Sequence, residues 1–429
     1  MKDKLLILGS LGEFVQLVQM AKDRGILVYV CDRYKEGPAK KIAYKSYDID
    51  VGETQEIVKI CMEEGINGIL TSFSDYLLEC MVKIAEQAKL KCYLKPEQLK
   101  FYRNKEVMKE MFHQLGIGTP KHISLEKNFS EHLLAGFRYP VVVKPLDKYG
   151  SRGVLVLPGT KEIREYFDES CATSEIKKIL AEEYHSGFEF NLMAWIHNGE
   201  AKVLSIADRE KTAVGGKKIP ISTRNVYPSR MTKEVAKEAG TIVQKIAAFT
   251  GQEEGALSMQ FFWSAKTGIQ VCEVAARFFG YEHELLEYCS GFCLEKLLLD
   301  YVYEKTAVEA ALNAYRLPAA DRRNSGENEY DCCAVLYFHG QEGKIVDQRI
   351  AGKLGKLPGV VKCELFYQEG ESIELFGPQP YVVRYYITGK DYHQIDQLTR
   401  RIFTEISVTD ENGHEILYRN QMPDYELFE

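Results

Sequence analysis

The feature that most constrains this chain is a punctuation pattern in its first hundred residues. Short apolar runs alternate with helix-patterned stretches, and glycine closes most of the helices. Leu5-Leu6-Ile7-Leu8 reads as a buried strand ending at Gly9-Ser10-Leu11-Gly12. Residues 14–24 read as a helix closed by Gly25, and 26–31 as the next strand, with Asp32 at its end. Residues 57–64 form the next helix, closed by Gly65, then 66–71 a strand and 76–88 a helix. Glycine tolerates the left-handed conformation that ends a helix, and apolar strands joined through helices pair in parallel. A Rossmann-like parallel sheet is expected over residues 1–98.

The pattern then changes. Asn104 can cap a helix whose apolar stripe is Val107, Met108, Met111, Phe112 and Leu115, ended by Gly116. Residues 139–145 read as a strand, followed by a glycine-containing loop to Gly153. Beyond residue 180 long strands dominate: 189–196, an Asn198-Gly199 turn, and 201–207. A helix over 232–250 leads to strands around 257–263 and 269–276, then to one helix from 282 to about 303. Residues 306–329 are polar and alanine-rich and read as a connector. The tail, 330–429, alternates β-rich runs with one helix near 392–403, a small α+β domain.

Length and charge bound the function. At about 150 residues per domain, 429 residues imply about three domains. Lys and Arg total 55 against 62 acids, a net charge of −7, which gives no basic footprint for nucleic acid. The start MKDKLLILGS lacks a signal-peptide pattern, and no run approaches the roughly 18 apolar residues of a membrane span. Eleven scattered cysteines without a CxxC pair fit reduced thiols in the cytoplasm.

The chemistry concentrates in three places. Ala265-Lys266-Thr267-Gly268 reads as a four-residue turn. That register pairs Ser264 with Ile269, Phe262 with Val271 and Gln260 with Glu273, and opposed side chains share a sheet face. Period 2 puts Ala275 and Arg277 on the face of Glu273. Amide and carboxylate oxygens suit Mg²⁺ with nucleotide phosphates, and the Arg suits a phosphate or carboxylate. A solvated face with a Glu–Arg pair has the same pattern. Second, Lys144 precedes the loop Asp147-Lys148-Tyr149-Gly150-Ser151-Arg152-Gly153, whose backbone can approach phosphate oxygens; a plain hairpin turn reads the same way. Third, Glu182-Glu183-Tyr184-His185-Ser186-Gly187-Phe188-Glu189 opens a long strand, as an acidic turn or as contacts for an adenine amine and ribose hydroxyls.

Taken in order, Asn104-Lys105, VVVKP, GSRG, EEYHSGFE and MQFFW…VCEVAARFFG resemble the ATP-grasp superfamily over residues 1 to about 305. The resemblance is to carbamoyl-phosphate-synthase-like and biotin-carboxylase-like members, with a tail similar to amino-acid-ligase and phosphoribosylglycinamide-synthetase types. It implies an ATP-grasp domain at 99–305, two α+β subdomains clamping ATP, with a smaller lid at about 110–187. It implies that Lys105 and Lys144 contact phosphates, and that Gly150, Ser151, Arg152 and Gly153 close over them. Glu182, Glu183, Tyr184 and His185 match the adenine hinge, and Glu189 the ribose acid. Gln260 and Glu273 match ligands of Mg²⁺ or Mn²⁺, and Arg277 the arginine at the reactive phosphate or substrate carboxylate. Where the family usually reads Glu-x-Asn-Pro-Arg, this chain has Ala275 in place of Asn.

The implied activity is ATP-dependent, ADP-forming ligation of a small-molecule carboxylate to an amine, catalysed with Lys144 and Arg277, in a protein whose default assembly is a homodimer. Lys211, Arg224 and His283 are candidate substrate contacts, each with an equally plain structural reading. Alternatives are a phosphoribosylglycinamide-synthetase-like ligase, a bicarbonate- or carbamate-phosphorylating carboxylase, and a non-catalytic ATP-binding protein. An NAD(P)-dependent enzyme is a further alternative, from Gly9-Ser10-Leu11-Gly12 and Asp32, although the spacing is GxxG.

Overall fold

The computed structural model describes residues 2–148, 153–172, 174–213, 215–280, 282–318, 331–373 and 381–424. The first sheet has four parallel strands in the order Lys45–Tyr47, Leu27–Cys31, Lys4–Leu8, Gly68–Leu70. Leu5, Leu6, Ile7 and Leu8 are wholly buried, as a strand covered on both faces requires. The helices Val15–Asp23 and Thr54–Glu64 fall where the glycine punctuation puts them, while Asp75–Ala88 ends at Lys89, left-handed at φ +56°. Ser10 Oγ donates to Asp32 at 2.8 Å, and Lys40 Nζ to the Asp32 carbonyl at 2.6 Å. A Cβ on Gly37 would stand 2.0 Å from Ser10 Oγ.

A second sheet, His122–Leu125, Ile179–Glu183, Val141–Pro145 and Leu155–Leu157, is antiparallel throughout. It has its own small core, including Val141, Val143, Ile163, Phe167 and Ile179.

The third sheet has eight antiparallel strands. Their order is Gly268–Ala275, Glu254–Ser264, Phe188–His197, Glu200–Thr212, Ile221–Tyr227, Cys332–Phe338, Val383–Gly389, Val360–Leu365. The tail therefore continues the central sheet through the pairing of Ile221–Tyr227 with Cys332–Phe338. The helix Thr232–Thr250 ends as expected, with Gly251 at φ +68°.

Three expectations change. The single helix expected over 282–303 is two, His283–Ser290 and Leu294–Tyr303, because Gly291 turns left-handed at φ +68°. Part of the expected connector is helical, Lys305–Ala314, with Val308 and Leu312 buried against the core; residues 319–330 lie outside the described residues. In the hairpin, Ser264 pairs with Gly268 and Phe262 with Gln270, one residue off the expected register. A shift between Gln260 and Phe261 absorbs that residue as a bulge at Cys272, so Gln260 still meets Glu273.

Candidate functional site

The second and third sheets and the start of the helix Lys105–Gln114 enclose a cavity of about 450 Å³. Asn104 caps that helix, its Oδ1 accepting from Glu106 N at 2.9 Å and Val107 N at 3.2 Å. The cap fixes Lys105 at the helix start, where its Nζ donates to the Lys148 carbonyl. Burial lowers the Lys105 pKa, aided by Lys144 and Arg103 and opposed by Glu273. Lys144, on the strand Val141–Pro145, forms a buried ion pair with Glu182 on the neighbouring strand. Lys109 holds the other Glu182 oxygen at 2.6 Å. Burial works to raise the Glu182 carboxyl, but Lys109 and Lys144 outweigh it and hold it down at about 2.

Glu183, Tyr184 and His185 line the cavity as the second sheet hands over to the third. The Glu183 carboxylate accepts from Arg138 N at 3.0 Å and Arg138 Nε at 2.8 Å. The His185 ring stacks on Phe262 with centroids 4.7 Å apart and planes at 15°. Burial lowers the His185 pKa, which favours a neutral, flat, apolar surface beside the hinge.

Gln260, Glu273, Ala275 and Arg277 all line the same cavity. Among the described residues Glu273 has no hydrogen-bond or ion-pair partner, which leaves both carboxylate oxygens for a ligand. Two oxygen side chains are a sparse set, but Mg²⁺ commonly takes one or two protein ligands and completes its shell with phosphate and water. The pair fits such an ion. Arg277 Nη2 stands 2.9 Å from Asp75, at the start of the helix Asp75–Ala88, so a residue of the first sheet's layer aims this guanidinium. Burial works to lower the Arg277 pKa, and Asp75 raises it.

Three candidates, Glu189, Arg224 and His283, lie elsewhere. Glu189 is behind the cavity wall, its carboxylate bound by Arg209, Lys211 and, at 2.6 Å, Gln260 Nε2. Lys211 itself lines the cavity. Arg224 does not: it is wholly buried between Glu210 and Asp396, so its charge is already matched inside the sheet–helix interface. Nor does His283, which is enclosed by Glu284 at 3.3 Å, Glu295 at 2.8 Å and the Phe73 ring. Burial would lower its pKa, but the two acids lift it to about 9. Gly150, Ser151 and Arg152 lie outside the described residues. Gly153 has φ +72°, and a Cβ there would meet the Ser170 carbonyl at 2.4 Å.

Sequence reasoning missed Lys109, Asn191, Arg209, Asn225 and Glu282. All but Lys109 line the cavity. One signal was available: Glu189 and Asn191 alternate as polar residues in the otherwise apolar strand Phe188–His197. Glu282 gave no signal, because its partners Asn191 and Asn225 are 91 and 57 residues away in sequence.

Two antiparallel sheets thus face one another across a cleft, with lysines on one wall and an opposed Gln–Glu pair on the other. Residues 137–283 match the family model for the ATP-grasp domain. A formate-dependent phosphoribosylglycinamide formyltransferase of Corynebacterium glutamicum is 25% identical over 177 residues, 40% of this chain and 43% of that protein. The chain thus spans less than half the length of this relative. The crystal structure of an L-amino acid ligase from Bacillus licheniformis superposes with TM-score 0.78 at 18% identity, covering 96% of this chain and 99% of that one. A phosphoribosylglycinamide synthetase from Anaerococcus prevotii gives TM-score 0.71 at 17% identity, covering 96% and 100%. The likeness to these solved structures covers the first layer and the tail as well as the matched domain. No helix among the described residues is long and apolar enough to cross a membrane.

Proposed function

We propose that the chain is an ATP-dependent ligase that activates a carboxylate as an acyl phosphate and couples it to an amine. The observation that carries the reading is the convergence of Lys105, Lys144, Gln260, Glu273 and Arg277 on one cavity. Three of these side chains are cationic, as a polyphosphate ligand requires. Lys105 and Lys144 hold the transferred phosphoryl group and offset the charge that spreads over its oxygens. Arg277, aimed by Asp75, holds the carboxylate oxygen in line with that phosphorus. Gln260 and Glu273 would hold Mg²⁺, which neutralises phosphate charge when bound. His185 and Phe262 offer a flat apolar face to adenine. The names of the formate-dependent formyltransferase and the L-amino acid ligase above are in keeping with the same class.

The test is release of ADP and phosphate from MgATP by the purified chain, screened across carboxylates and amines, the twenty common amino acids first. Release that requires both a carboxylate and an amine supports the ligase. A second reading, a nucleotide-binding protein without turnover, is favoured by Ala275, whose methyl group sits in the cavity wall and cannot ligate a metal. Tight MgATP binding with no release in any pairing would establish that reading instead.

A further inference from the structure

Part of the cavity wall is chemically unlike the lysine-lined part. Asn191 on the strand Phe188–His197, Asn225 on the strand Ile221–Tyr227 and Glu282 are 5%, 3% and 3% exposed, and all three line the cavity. Asn191 Nδ2 donates to both Glu282 oxygens, at 3.1 Å and 3.2 Å. Asn225 Nδ2 donates to one of them and lies 3.3 Å from the Tyr337 hydroxyl. An ionised carboxylate only accepts, so it takes the NH₂ end of both amides and turns both amide oxygens away. Asn191 Oδ1 and Asn225 Oδ1 are accordingly buried with no hydrogen-bond partner among the described residues. Leaving two buried acceptors unpaired is costly, and it makes sense at a place where a ligand supplies the donors. The nearby cation does not serve, because Arg209 is bound to Glu189.

Two amide oxygens beside a carboxylate repel an anion and call for a compact group rich in N–H donors. A primary ammonium carries three N–H bonds and one positive charge. We propose that Asn191, Asn225 and Glu282 form the subsite for the ammonium group of the amine substrate, and so select a cationic primary amine. This rests on the ligase reading above. Burial pushes the Glu282 carboxyl up to about 7 against the hydrogen bonds from Asn191 and Asn225. An ammonium seated beside it would hold it ionised; Glu282 then takes the proton the nitrogen must shed to expose its lone pair, and the departing phosphate takes the second as the C–N bond replaces the C–O bond to phosphorus.

The test uses two amines of different charge on the full chain with MgATP. Hydroxylamine, uncharged near neutral pH, traps acyl phosphates as hydroxamates. The amino acids of the same screen present ammonium groups. In Glu282→Gln, and separately in Asn225→Leu, the KM for the ammonium-bearing amine relative to that for hydroxylamine is expected to rise about tenfold or more. If Glu282→Gln loses cooperative melting, Asn225→Leu alone carries the comparison. An unchanged ratio in the folded variants overturns the subsite while leaving the ligase intact. Absence of any hydroxamate from the wild-type chain, with every carboxylate, overturns the ligase reading and the subsite with it.

Discussion

Lys109 approaches one oxygen of Glu182 to 2.6 Å, while the cavity-facing Lys144 takes the other oxygen. One buried carboxylate therefore sets the position of a proposed phosphate-binding lysine. Removing it would leave two buried cations uncompensated, a defect that typically costs about 3–5 kcal/mol. Glu182→Gln is expected to lower the melting temperature by several degrees and to raise the KM for ATP. Denaturant melts and ATP titration check both.

The same carboxylate predicts an acid response. Its folded pKa of about 2 lies below its ordinary value of 4.5. A depressed carboxyl contributes stability that is fully present above about pH 4.5 and is lost as pH falls toward 2. Between these values the wild-type urea midpoint is expected to fall more steeply than that of Glu182→Gln. Parallel slopes would show that Glu182 does not carry this share of acid stability.

Arg277 is aimed by Asp75, 2.9 Å away across the boundary between the first sheet's layer and the cavity. Asp75 touches no reacting atom in this account; it positions the guanidinium. Asp75→Asn keeps the shape and removes the charge. It is expected to raise the KM for the carboxylate about tenfold while changing the KM for ATP little. An equal rise in both KM values would assign Asp75 to general stability.

Ala275 stands on the sheet face of Glu273 and lines the cavity. An amide oxygen there would add a ligand to the proposed Mg²⁺ site. Ala275→Asn is expected to lower the Mg²⁺ concentration for half-maximal turnover several-fold, and Glu273→Gln to raise it. Both follow from titrating Mg²⁺ at fixed ATP.

The sequence displayed local relations well and distant ones poorly. The Gly25 and Gly65 punctuation located the helices of the first layer because helix ends are set by their own residues. Asn104 was readable as a cap for the same reason. The hairpin shows the limit. Counting outward from an assumed turn misplaced Phe262, yet the bulge at Cys272 restored Gln260 opposite Glu273. A bulge is set by tertiary packing, so counting cannot find it. Arg224 looked like an anion contact because its partner Asp396 lies 172 residues away. Asn191, Asn225 and Glu282 come from three separate elements, and only folding makes them a cluster.

The central claim is that a carboxylate oxygen attacks the γ-phosphate and departs with it. Turnover with an ¹⁸O-labelled carboxylate tests this directly, by mass analysis of the released phosphate. An acyl phosphate intermediate transfers one carboxylate oxygen, so the phosphate is expected to carry a single ¹⁸O for each bond formed. Phosphate without ¹⁸O during amine-dependent turnover would contradict the account.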